Sequence, residues 1–280
     1  MINHKPEIPG ERASSNSHAR LLALNWVPWS VQITFRGVLW TLIPWIGFTL
    51  LLNALGGNSG PTKPLSTSVD LSSAIIAVVF SLLVEGVFLI APYYFANKTL
   101  VLESLRAGET RVMAVLRTLG LRRFNFLRTL PWILGLLVLV IAVNDLYSWI
   151  ISTLNINLQT NGQLVQQYST YEPLTTYAVL AASVFIAPFC EELFFRGFAF
   201  SGLLRDLSPL WAVIVSAALF AVAHADPGSF VPLFVIGLAL GFLRWRTGST
   251  WASMSLHILN NLLASVEIIL YMTHRIVLPF

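Results

Sequence analysis

A single cysteine in 280 residues, Cys190, excludes an intramolecular disulfide and leaves no CxxC pair for a metal. Charge is equally scarce: 11% of the chain is Asp, Glu, Lys or Arg, against roughly 25% in an ordinary soluble domain. The HExxH signature of zinc peptidases is absent, and there is neither an internal repeat nor a low-complexity tract. Near the N-terminus no short apolar core precedes a small-residue cleavage site, so residues 1–36, polar and holding Ser14, Ser15, Asn16 and Ser17, read as a cytoplasmic tail and not as a signal peptide.

Apolar sequence fills the rest. Hydrophobic residues make up 56% of the chain and the mean hydropathy is +0.72, values of an integral membrane protein. Runs near the ~17–25 residues needed to cross a bilayer lie at 37–56, 71–96, 131–153 and 176–204, with three more at 210–224, 230–243 and 250–272. The fifth and sixth are short, as expected of segments that are tilted, re-entrant or packed inside a bundle. The fold class that follows is all-α: a polytopic transmembrane helix bundle of about seven to eight spans with a buried polar cavity.

The basic residues set the orientation, because cytoplasmic loops collect Lys and Arg. With the N-terminus cytoplasmic, the inner segments hold Lys5, Arg12, Arg20, Arg36, Lys98, Arg106, Arg111, Arg117, Arg122, Arg123, Arg128, Arg196, Arg205, Arg244 and Arg246, and the outer ones only Lys63 and Arg275. The net charge of +4 therefore reports topology in a lipid bilayer, and no nucleic-acid partner is implied. Within an N-terminal set of membrane helices, 37–175, arginines alternate with leucines and valines over 98–130, the pattern of a helical elbow lying at the interface. The C-terminal core, 176–272, carries the chemistry.

In that core, Glu191, Glu192 and Arg196 stand in an apolar run where ionisable side chains cost too much in lipid to be idle. Residues four apart share a helix face, so Glu192 and Arg196 can pair, while Glu191 points roughly 100° away and is left as the working base. Pro188, three residues earlier, removes a helical hydrogen bond and predicts a bend beside the carboxylates. His224 comes from the next apolar run; His257 and, one turn on, Asn261 come from the last. At 1.5 Å per residue the glutamates lie roughly 20–24 Å from their cytoplasmic edge, His224 roughly 22 Å, His257 roughly 15 Å and Asn261 roughly 20 Å. The polar groups of three helices thus converge on one layer.

The ordered set EExxxR, FxxxH over Phe220–His224 and HxxxN over His257–Asn261 resembles the CPBP family of intramembrane proteases, the CAAX-protease and bacteriocin-processing group, over roughly Thr176 to Ala264. The resemblance implies a glutamate-type endopeptidase that acts near the C-terminus of a membrane-associated peptide or protein, prenylated or not. It further implies that Glu191 and His224 activate a water, that His257 and Asn261 stabilise the oxyanion, and that Glu192 and Arg196 support them. Residue chemistry alone agrees, since a carboxylate beside an imidazole can draw a proton from water. No cofactor is required.

Two other readings stay open at this stage. Two histidines and two glutamates could bind zinc with a water in the open position. Alternatively, buried acids can line the ion or proton path of a transporter, and other spans hold Glu85, Asp145 and Glu267. Glu85 reads as structural, Asp145 and Glu267 as residues near an outer helix end. Cys190 lacks an activating base. Gly237 and Gly241, four apart, read as a close-packing face, and Trp26, Trp29, Trp132 and Trp211 as interface anchors.

Overall fold

The computed structural model describes residues 27–56, 67–100, 108–156, 158 and 173–273. The basic residues Lys5, Arg12, Arg20, Lys63, Arg106 and Arg275 lie outside them, as does most of the tail expected at 1–36, Trp26 included. The described residues form eight helices: α1 (Val31–Gly56), α2 (Thr67–Thr99), α3 (Arg111–Thr118), α4 (Phe126–Thr153), α5 (Pro173–Glu192, continuing as a π-helix over Leu193–Phe200 and a last turn to Leu203), α6 (Pro209–Ala223), α7 (Phe230–Thr247) and α8 (Thr250–Met272). Six are long and apolar enough to cross a membrane, and α6 is a shorter apolar helix. The protein is an all-α, polytopic membrane protein.

Several boundaries differ from those read in the sequence, α2 running from Thr67 to Thr99 and α5 starting at Pro173 among them. Residues 31–36, assigned to the polar tail, are the first turns of α1, because Val31, Ile33 and Phe35 are apolar and Ser30 Oγ accepts from the Ile33 amide at 3.4 Å. Residues 126–130, assigned to the interfacial elbow, open α4, whose N-cap Asn125 accepts from the Arg128 amide at 3.0 Å. The sixth span extends past 243 to Thr247, where Gly248 at φ 67° ends the helix in a left-handed cap.

Burial inverts hydropathy. The most apolar span, α2, has a mean hydropathy of 2.7 and only 17% of its window buried, whereas α5, at 1.8, is 56% buried. Lipid solvates apolar side chains as well as protein does, so the polar groups withdraw to the interior. Accordingly α5 is the axis of the bundle, packed by α2 along much of its length, by α8, and at its π-helical end by α6. Its N-terminus is held from α2, where the Asp70 carboxylate accepts from the Leu174 and Thr175 amides at 3.0 and 2.9 Å and from Thr175 Oγ1 at 2.7 Å. An acceptor at the positive end of a helix satisfies N–H groups that would otherwise be orphaned.

The elbow is keyed into this axis. Thr250, at the start of α8, donates its amide to Gly120 O at 2.8 Å and its hydroxyl to Leu119 O at 2.7 Å, while Ser249 Oγ donates to Arg122 O at 2.5 Å. Gly120 adopts φ 85°, and Gly197 of the π-helix sits so close that a Cβ there would be 2.7 Å from Leu119 O. Across α6 and α7 a Cβ on Gly237 would lie 2.9 Å from Ala217 Cα, and one on Gly241 3.2 Å from Val213 Cγ1, so the glycine pair is a close-packing face as read. Trp29, read as an interface anchor, is instead fully buried with its indole N–H 3.4 Å from Phe198 O; Trp132 and Trp211 are 48% and 58% exposed.

Candidate active site

The site begins at the switch from α- to π-helix. Pro188 cannot donate its missing N–H, and five residues later the chain widens into the eight-residue π-helix Leu193–Phe200, a form that stays rare because its hydrogen-bond register is poor and that concentrates at functional positions. The sequence pointed to a proline bend; the π segment was not legible. Two serines reach its carbonyls: Ser216 Oγ of α6 donates to Phe195 O at 3.1 Å and Ser201 Oγ, in the last turn of α5, to Arg196 O at 3.1 Å.

Glu191 and Glu192 are the last two residues before this switch, both buried. Arg196 Nη1 donates to Glu192 Oε1 at 2.8 Å, with both side chains wholly inaccessible, and Arg196 Nη2 reaches Gly237 O at 3.2 Å. The expected pair therefore exists. Arg196 and Arg244 are both 0% exposed, so neither is one of the loop charges among which the orientation argument counted them. Charges this deep persist only when paired and hydrogen-bonded.

His257 joins the two carboxylates. Its Nδ1–H donates to Glu192 Oε1 at 3.3 Å and its Nε2 lies 3.8 Å from Glu191 Oε2. The rings around it converge on Phe220, whose centroid is 5.6 Å from that of His257, 4.8 Å from that of His224 and 4.5 Å from the Arg196 guanidinium carbon. The phenylalanine of FxxxH is thus a ring that both histidines contact, His257 edge-on at 77° and His224 tilted at 59°, with the arginine over its face. Its spacing from His224 marked it in the sequence, but nothing there showed its contact with His257 or Arg196.

His224 is the C-cap of α6, and Ala225 beside it has φ 51°. The Nδ1–H of His224 donates to Phe220 O at 2.8 Å; because a carbonyl only accepts, that contact fixes the tautomer and leaves Nε2 as the acceptor. Trp45 of α1 donates its indole N–H to Ala223 O at 2.8 Å, holding the turn that carries His224. A cavity of about 140 Å³ is lined by Glu191, His224, Glu85, Thr49, Trp45, Phe88, Phe195 and Ala223. Glu191 and His224 therefore meet in one space, and Glu85, read as structural, is on its wall.

Asn261 stands one turn beyond His257 on α8. Its Nδ2 donates to Ser183 O of α5 at 2.9 Å, and its Oδ1 accepts from Asn260 at 3.2 Å. It ties α8 to α5 two turns before Glu191, with one amide hydrogen left over. Cys190 is buried, next to Glu191 in the chain. Among the described residues no three His, Cys, Asp or Glu side chains gather as a metal site.

Fold and site define a polytopic helical membrane protein with a carboxylate–imidazole cluster inside its bundle. Residues 173–263, about a third of the chain, match the family described as type II CAAX prenyl endopeptidase Rce1-like, in line with the resemblance that the three motifs carry. Two curated proteins are similar. One from Mycoplasma capricolum subsp. capricolum, named "Uncharacterized protein", is 33% identical over 141 residues, 45% of this chain and 40% of its own. The other, from Bacillus subtilis and named "Putative membrane peptidase YdiL", is 26% identical over 83 residues, 30% and 34% of the two chains. The chain thus covers less than half the length of either relative. No solved structure matches.

Proposed function

We propose that this protein is an intramembrane endopeptidase of the CPBP type, hydrolysing a peptide bond near the membrane-associated end of its substrate with water activated by Glu191 and His224. The observation that carries the reading is the shared cavity, which brings a carboxyl from α5 and an imidazole from α6 against one small polar space. Water there donates one hydrogen to Glu191 and meets the free Nε2 of His224. General-base help of this kind contributes about 10²–10⁴-fold in rate.

His257 and Asn261 are assigned to the oxyanion, a role that requires N–H on both ring nitrogens of His257, because its Nδ1–H is already given to Glu192 Oε1. Asn261 Nδ2 has one hydrogen engaged by Ser183 O and one to offer, and a side-chain donor aimed at developing negative charge contributes roughly 3–4 kcal/mol in a water-poor site. Glu192 and Arg196 support the arrangement: Glu192 accepts from His257 Nδ1–H and is itself held by Arg196. The substrate class is a peptide with an apolar anchor, a prenylated C-terminus included, since the scissile bond must be brought to a site inside a lipid-embedded bundle. The lysine and arginine distribution supports a cytoplasmic N-terminus.

The test is cleavage of a panel of farnesylated and unmodified membrane-anchored peptides by purified wild-type protein and Glu191→Gln in detergent. Turnover by wild type and none by the variant is expected. Ion flux in proteoliposomes that requires Glu191, with no peptide cleaved, would establish a transporter instead.

A further inference from the structure

Glu85 belongs to α2, far from the three motifs in sequence, yet it lines the same cavity as Glu191 and His224 and lies close enough to Glu191 for their charges to interact. Its Oε2 is buried and, among the described residues, has no hydrogen-bond partner. An unpaired buried acceptor carries the full cost of its lost hydration, and inside a membrane span that cost is higher than an apolar residue of the same size would incur. Asp70, on the same helix, shows the contrast: both its carboxylate oxygens are engaged at the N-terminus of α5. Among the described residues no hydrogen bond or ion pair engages Glu85.

The cavity holds about 140 Å³, roughly four to five water volumes at ~30 Å³ each, enough for a short piece of backbone. A peptide entering such a space brings N–H groups that have left water and must find acceptors within the protein. We propose that Glu85 is a substrate-positioning carboxyl, accepting a hydrogen bond from a backbone N–H of the peptide adjacent to the scissile bond. The inference rests on the hydrolase reading and adds to it a residue supplied by the N-terminal helices. Glu85 gains and loses no proton; it fixes the rotation of the peptide in front of the pair Glu191 and His224, a contribution of orientation.

The experiment pairs a protein change with a substrate change. The peptide of the panel cleaved fastest by wild type is remade as a series of depsipeptides, each replacing one amide N–H by an ester oxygen at a position flanking the scissile bond. One analogue should lose 10- to 100-fold in kcat/KM with wild type. Glu85→Leu should lower the parent peptide to the level of that analogue, so that the two differ by less than threefold, while the variant melts no lower than wild type. Glu85→Gln, which keeps a carbonyl acceptor, should recover part of the discrimination. A structural role would lower all substrates together and leave the ratio unchanged, and that result overturns the proposal, as does wild-type kcat/KM in both variants. Wild-type protein that cleaves no peptide overturns the hydrolase reading itself.

Discussion

Trp45 donates its indole N–H to the carbonyl of Ala223 at 2.8 Å, joining α1 to the last turn of α6 one residue before His224. The first membrane helix is thereby part of the machinery that places a histidine 179 positions later in a chain whose motifs all lie in the C-terminal core. Trp45→Phe keeps an aromatic side chain against Phe88, whose ring centroid lies 4.6 Å from that of the indole, and removes the donor. Losing one hydrogen bond of this kind costs roughly 1 kcal/mol. A three- to tenfold fall in kcat with a small drop in melting temperature is expected, and unchanged kcat would show that His224 is held by its own turn alone.

Glu191→Gln should lower kcat by about 10²–10⁴-fold with little effect on unfolding, because the imidazole nitrogen facing it, His257 Nε2, is 3.8 Å away, beyond hydrogen-bond distance. Single-turnover cleavage and thermal unfolding in the same detergent check both halves. Activity within tenfold of wild type would remove Glu191 as the base.

Arg196→Met leaves Glu192 charged and wholly buried without its 2.8 Å partner. Breaking a buried pair in this way costs about 3–5 kcal/mol. Removing both charges in Glu192→Leu/Arg196→Met should recover most of the thermal stability and none of the activity. A double variant as unstable as the single one would mean that Arg196 stabilises through its contacts with Phe220 and Gly237 O and not through charge.

Gly197→Ala drives a Cβ to 2.7 Å from the Leu119 carbonyl, whereas a Cβ at Gly47 of α1 meets nothing within 4 Å. Overpacking the first should cost roughly 1–3 kcal/mol, and Gly47→Ala should be neutral or slightly stabilising. Comparing their melting temperatures tests whether the elbow and the π-helix are locked together.

If carboxyl and imidazole chemistry suffices, dialysis against a strong chelator should leave turnover within twofold, and added zinc should not raise it. Activity lost on chelation and restored by zinc would transfer the role of activating water to a metal.

The seven apolar segments were legible because their length and composition follow directly from the solvent they cross, and Glu192 with Arg196 because a four-residue interval is a local property of any helix. Residues at the ends of helices were harder. Val31–Arg36 and Phe126–Leu130 each mix apolar residues with one arginine, and composition alone assigns such stretches to tail or elbow; the caps at Ser30 and Asn125 decide them. The layer argument brought Glu191, Glu192, His224 and His257 to comparable depth without saying which ring faced which carboxyl.

Sequence alone determined that this is a helical membrane protein with acids, imidazoles and an amide concentrated in its last helices, because hydropathy and helical periodicity are properties of contiguous residues. Tertiary structure decided the remainder: that His257 touches both glutamates, that the Phe220 ring contacts both histidines, and that Trp45 and Glu85 reach the same cavity from α1 and α2. Those contacts depend on how helices rotate and slide against one another, which is set by the close approach of Gly197, Gly237 and Gly241 to their neighbours and by the cross-helix bonds of Asp70, Thr250 and Asn261. Such quantities are sums over residues far apart in the chain, so no local pattern encodes them.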